Sequence, residues 1–162
     1  MNNVKIKSTI AKAGSLSPVF SKPIQRILVV DDDPFFCHRN AEVLIRHGYQ
    51  VNAAESGEVG WEELQINRYN LLITENELPS LTGVELLKKL RSARILLPVI
   101  MATKQMSRPQ ATRLLRLHPV VTLLKPYTIE EFLSAVKVVL ATHAAADEGI
   151  KSLPAPPFPV TA

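Results

Sequence analysis

The sequence predicts a doubly wound α/β domain built on one parallel sheet. Three observations carry that expectation. Short apolar runs recur between residues 25 and 142, segments of helical period follow them, and several runs end abruptly in charged or hydroxylic residues.

The strands come first. RILVV (26–30), LLI (71–73), PVIMA (98–102) and VVTLL (120–124) are continuous enough for strands covered on both faces. YQVNAA (49–54) alternates more and reads as an edge strand. Among the helices, residues 34–47 place Phe36, Val43, Leu44 and His47 toward one side, with Gly48 as the C-cap. Residues 57–66 offer Val59, Trp61 and Leu64 behind a Ser56 cap. Three capping boxes then open the remaining helices: Thr82 with Glu85, Ser107 with Gln110, and Thr128 with Glu131. Right-handed crossovers put these helices on both faces of the sheet.

Composition narrows the class. The chain's 162 residues fit one domain, and 46% hydrophobic with 21% charged residues is an ordinary globular balance. No apolar run reaches the ~20 residues of a membrane-spanning helix, and the N-terminus lacks the apolar core of a secretory signal. The lone Cys37 excludes an internal disulfide, fits a reducing cytoplasm and reads as a helix residue. The net charge of +4 traces to Lys5, Lys7, Lys12 and Lys22 in residues 1–24, which hold no acid. That places the basic character in a flexible tail and argues against nucleic acid as the partner. Residues 143–162 end in LPAPPFPVTA and read as a Pro-rich flexible tail. The folded domain is therefore expected over 25–142.

In such sheets the functional crevice lies beyond the carboxyl ends of the strands. Four strands deliver polar residues there: Asp31, Asp32 and Asp33 after the first, Glu75 after LLIT, Thr103 and Lys104 after PVIMA, and Lys125-Pro126 after VTLL. Clustered carboxylates repel, and a hard cation such as Mg²⁺ relieves that repulsion. A lysine and a hydroxyl opposite would hold phosphoryl oxygens, and a central carboxylate could accept the group. These are parts for phosphoryl transfer.

VVDDDP, the Leu78-Pro79 to Gly83 turn, PVIMAT and LLKPYT, in that order and spacing, resemble the receiver domain of two-component response regulators. The resemblance covers about residues 25–142. It implies a flavodoxin-like fold with five strands in the order 2-1-3-4-5 and five helices. It makes Asp31 and Asp32 the acidic pair for Mg²⁺, Thr103 the switch hydroxyl, Lys125 the phosphate-sensing lysine, and Lys125-Pro126 a cis peptide. It implies a signalling role in a phosphorelay rather than an enzyme, with a histidine kinase or a downstream signalling protein as partner and a homodimer as one form of assembly.

The sequence departs from the family at the centre. The phosphoacceptor position, aspartate in the family, is Glu75, and its extra methylene moves the carboxylate outward by roughly 1.5 Å, one C–C bond. Misplacement near 1 Å can cost about 100-fold in an in-line reaction. Glu75 is thereby pushed toward the place of the phosphoryl group, where it could meet Thr103 or Lys125 and imitate it with less charge. Asp31 and Asp32 favour Mg²⁺, and the displaced third carboxylate weighs against it. At the rim, Lys104 stands where the family has a small residue and could pair with Glu77, which lies where the family offers a backbone carbonyl to the metal. His118 replaces a glycine common after the fourth helix and reads as a cap. Thr122 stands where the family has an aromatic switch residue.

Two further readings are weaker. Asp31-x-Asp33 resembles the opening of haloacid-dehalogenase-type phosphatases, with Asp31 as nucleophile, but the later acidic pair they need is missing. A flavodoxin-like cofactor module would need a Gly-rich or hydroxyl-rich phosphate loop. The expectation is a stand-alone, atypical receiver acting through protein contacts independently of phosphorylation, with a conventional receiver phosphorylated by a histidine kinase or phosphotransfer protein as the runner-up. Its output face is expected over the fourth helix, fifth strand and fifth helix and includes Arg113, Arg116, Thr122 and Lys137.

Overall fold

The computed structural model describes residues 23–118 and 120–151. Five strands and five helices alternate: β1 Arg26–Val30, α1 Pro34–Arg46, β2 Gln50–Ala54, α2 Gly57–Ile66, β3 Leu71–Thr74, α3 Gly83–Ser92, β4 Val99–Thr103, α4 Arg108–Leu115, β5 Val120–Leu124 and α5 Ile129–Lys151. All strand pairs are parallel, and their order is β2-β1-β3-β4-β5, as expected.

Strand period separates two cores. Leu28 and Val30 of β1, Leu72 of β3, and Val99 and Met101 of β4 face Leu86, Leu87 and Leu90 of α3 and Leu114 of α4. Ile27, Val29, Leu71, Ile73, Ile100 and Ala102 face Cys37 and Leu44 of α1 and Phe132, Leu133 and Val136 of α5. Strands β1, β3 and β4 are buried along nearly their whole length. This fixes the central strand ends, where the polar residues emerge.

The caps form as the sequence indicates. Thr82 with Glu85 and Ser107 with Gln110 make reciprocal capping boxes, and Thr128 and Glu131 exchange the same two bonds. Gly48 follows α1 at φ 84°, a conformation glycine adopts without steric cost.

Three expectations need correction. β5 is half open rather than covered on both faces: Val121 and Leu124 are exposed, because β5 is the sheet edge beside the short helix α4. α1 buries Cys37, Asn40 and Leu44, whereas His47 is exposed and bonds back to the Val43 carbonyl. α5 runs past residue 142 to Lys151, through an alanine-rich ATHAAADEGIK end that holds no proline. The basic segment 1–22 and residues 152–162 lie outside the described residues. Among the described residues, no helix is long and apolar enough to cross a membrane.

Candidate functional site

Four of the five strand ends, those of β1, β3, β4 and β5, hand side chains to the site. As β1 ends, the Asp31 backbone N–H bonds to the Ala54 carbonyl, and its carboxylate is buried. Asp31 Oδ1 accepts from the Asp33 N–H at 3.0 Å. Asp32 is exposed. Asp33 caps α1, accepting from the Phe35 N–H at 3.0 Å, and Pro34 opens the helix. The three aspartates thus have three separate settings, and only Asp31 enters the buried cluster. Capping occupies Asp33, which further weakens the phosphatase reading.

As β3 ends, the Glu75 N–H bonds to the Val30 carbonyl. The buried carboxylate turns back on its own loop: Oε1 accepts from the Asn76 N–H at 2.6 Å and the Glu77 N–H at 3.2 Å. Gly83 closes over this turn, and a methyl group there would stand 2.3 Å from the Glu75 carbonyl oxygen. β5 ends in Lys125, whose N–H bonds to the Thr103 carbonyl, and the Lys125-Pro126 peptide is cis.

The side chains of Asp31, Glu75 and Lys125 meet. Lys125 Nζ lies 2.6 Å from Asp31 Oδ2 and 2.9 Å from Glu75 Oε2. A third side of the ammonium faces the Phe36 ring, 4.1 Å from its centroid. Phe36 leans toward Tyr127, which stacks on Phe132 and accepts from Asn40 Nδ2 at 2.9 Å. Phe36 thus backs the lysine and is itself joined through Tyr127, on the β5–α5 turn, to Phe132 of α5.

The buried cluster holds two carboxylates and one ammonium. Burial pulls the Lys125 pKa down, but Asp31 and Glu75 outweigh it and hold the value above the usual lysine range. Burial opposes ionisation of Glu75 too. The Thr103 hydroxyl, the Lys125 ammonium and the Glu77 N–H overcome it and keep Glu75 below the ordinary carboxylate value. Asp31 goes the other way, raised by burial despite Lys125. One ammonium cannot neutralise two carboxylates, so the cluster keeps a net negative charge with both ionised.

Thr103 is buried, and its hydroxyl donates to the Gln105 carbonyl at 3.0 Å. A hydroxyl has one proton to give, so Glu75 is its alternative acceptor. At the rim, Gln105 Nε2 donates to Glu77 Oε1 at 3.0 Å. That bond replaces the expected Lys104–Glu77 pair; Lys104 is exposed, and no ion pair joins them. His118 does not cap α4, since Arg116 holds that position. Arg113, Arg116, Thr122 and Lys137 are exposed on α4, β5 and α5, and the Thr122 hydroxyl points to Met106 Sδ at 3.9 Å. Exposed Leu115, Leu124 and Val138 lie on the same three elements, which the charge pattern did not indicate.

Helical spacing in the sequence placed Phe36 on α1 but not over Lys125. The roles of Asn40, Gln105 and Tyr127 had no signal of their own, because each acts through a tertiary neighbour.

Mg²⁺ is the cation implied by the acidic pair. The residues present do not fit it. Both Asp31 oxygens and both Glu75 oxygens already accept from N–H groups, and Asp32 stands outside the cluster. Among the described residues, no group of three or more His, Cys, Asp or Glu side chains is arranged to hold a metal ion.

The family profile described as "Response regulator receiver domain" matches residues 27–137. The chain belongs to the response-regulator receiver family. Chemotaxis protein CheY1 of Helicobacter pylori is 32% identical over 122 residues, covering 73% of this chain and 98% of CheY1. The receiver also resembles the alkaline phosphatase synthesis transcriptional regulatory protein PhoP of Bacillus subtilis, at 29% identity over 72% of this chain. That match spans about half of PhoP, 48%. A CheY-like receiver structure from Methanospirillum hungatei superposes with a TM-score of 0.72 at 27% identity, covering 76% of this chain and 98% of that one.

Proposed function

We propose that this receiver signals without phosphorylation of Glu75, by presenting a permanently set surface to a protein partner. The observation that carries the reading is the Lys125–Glu75 ion pair at 2.9 Å. It holds Oε2 on the Lys125 ammonium and lowers its nucleophilicity, while Oε1 is engaged by two backbone N–H groups. A nucleophile needs a free lone pair aimed at phosphorus. Glu75 instead supplies, without any donor, a negative charge beside Thr103 and Lys125.

The chain acts as a receiver in two-component signalling, and its partner is a histidine kinase or a downstream signalling protein. The face of α4, β5 and α5 suits that contact, since it mixes Arg113, Arg116 and Lys137 with exposed Leu115 and Leu124. The test is intact-mass analysis after incubation with Mg²⁺ and a small-molecule phosphodonor. The wild type is expected to gain no phosphoryl mass, whereas Glu75→Asp, one methylene shorter, gains it. An adduct on wild-type Glu75 would restore an ordinary phosphorelay role.

A further inference from the structure

We propose that Lys125 is the resident cation of this site, held between Asp31 and Glu75, and that the native protein leaves Mg²⁺ unbound there. The inference concerns the occupant of the site and does not depend on how the receiver signals.

The ammonium is fully provided for. It has three N–H donors, and its surroundings offer two carboxylate oxygens at 2.6 and 2.9 Å and the Phe36 ring at 4.1 Å. Its side chain is only 3% exposed. The carboxylates are provided for as well, since the oxygens that Lys125 leaves free accept from the backbone N–H groups of Asp33, Asn76 and Glu77. Mg²⁺ demands near-octahedral geometry and gives up its water reluctantly. To enter, it would have to displace the ammonium, and Lys125 would then be stranded against an aromatic ring without a carboxylate partner. The lysine is also tethered, so it competes at a high effective concentration whatever the metal concentration. Its neighbours make the arrangement self-consistent: Glu75 reaches the ammonium, and the Phe36 ring lies 4.1 Å from it.

The experiment is an NMR titration of the full chain with MgCl₂ against NaCl of equal ionic strength, following the amides of Asp31, Asp32, Glu75 and Asn76. Trace Mn²⁺ serves as a paramagnetic probe of the same amides. The wild type is expected to show no saturable shift and no site-specific broadening. Lys125→Met, which keeps the length and removes the charge, is expected to bind Mg²⁺ at least about tenfold more tightly, equivalent to ~1.4 kcal/mol. Saturable binding by the wild type at Asp31 and Glu75 overturns the proposal, and so does a folded Lys125→Met protein with no gain. If that variant fails to fold, the ¹⁵Nζ signal of Lys125 in the wild type decides. It should be visible as a protected ammonium and unmoved by Mg²⁺, and a Mg²⁺-dependent shift or loss refutes the idea. Mass analysis reads phosphorylation and the titration reads the cation, so either proposal can fail alone.

Discussion

Lys125 Nζ sits 2.9 Å from Glu75 Oε2 and 2.6 Å from Asp31 Oδ2, with all three side chains no more than 5% exposed. One cation therefore joins the ends of β1, β3 and β5. Removing one partner from a buried pair leaves charge without compensation, at a cost of about 3–5 kcal/mol. Lys125→Met is expected to lose stability in that range, measured by denaturant unfolding at neutral pH. A loss as small as that of an exposed pair would show that the cluster is hydrated.

Protonation gives the same cluster a pH signature. Glu75 is held below its unfolded value of 4.5, so its contribution is present above pH 4.5 and is lost as pH falls through the folded value. Asp31 is raised above 3.8 by burial, so its ionised form costs stability at neutral pH, and acid relieves that cost. Lys125 is raised above 10.5, so its contribution holds below pH 10.5 and fades as pH climbs through the folded value. Unfolding free energies measured from pH 3 to 7 should fall on acidification in the wild type. Glu75→Gln should flatten that fall, and Asp31→Asn should not. An identical acid limb in Glu75→Gln would remove Glu75 from the account.

Much of this was legible in the sequence because strands that end in carboxylates advertise their own position. LLIT followed by Glu75, and VTLL followed by Lys125, put both residues at strand ends, and parallel order then brings the ends together. Local hydrogen-bond chemistry was legible too, as the Thr82, Ser107 and Thr128 boxes show. The remainder depended on distance in space. Gln105 took the place expected for Lys104 at Glu77, since an amide on the β4–α4 turn reaches the carboxylate while Lys104 projects into solvent. The exposure of β5 depended on how much sheet α4 covers, which an apolar run does not encode.

Gly83 is required by close approach rather than by backbone freedom. A methyl group at this position would lie 2.3 Å from the Glu75 carbonyl oxygen and 2.9 Å from Met101 Sδ. The sulfur can yield, but the carbonyl belongs to the loop that carries Glu75. Gly83→Ala should therefore destabilise by about 1–3 kcal/mol, the usual cost of overpacking. It should also shift the Glu75 and Asn76 amides in NMR spectra. Wild-type stability with unmoved amides would contradict the close packing.

The Gln105–Glu77 bond at 3.0 Å ties the β4–α4 loop to the β3–α3 loop, and the Gln105 carbonyl holds the Thr103 hydroxyl at 3.0 Å. Both rim side chains are exposed, so cutting their bond should change global stability by no more than about 0.5 kcal/mol. Local opening is another matter, because loops with few buried contacts sit at the low end of native-state stability. Gln105→Ala is expected to speed amide hydrogen exchange at residues 104–107 while leaving the β3 and β4 amides unchanged. Exchange as slow as in the wild type would mean that backbone contacts alone hold the loop, and that the Gln105 carbonyl is held at the Thr103 hydroxyl by the chain path rather than by this side-chain tie.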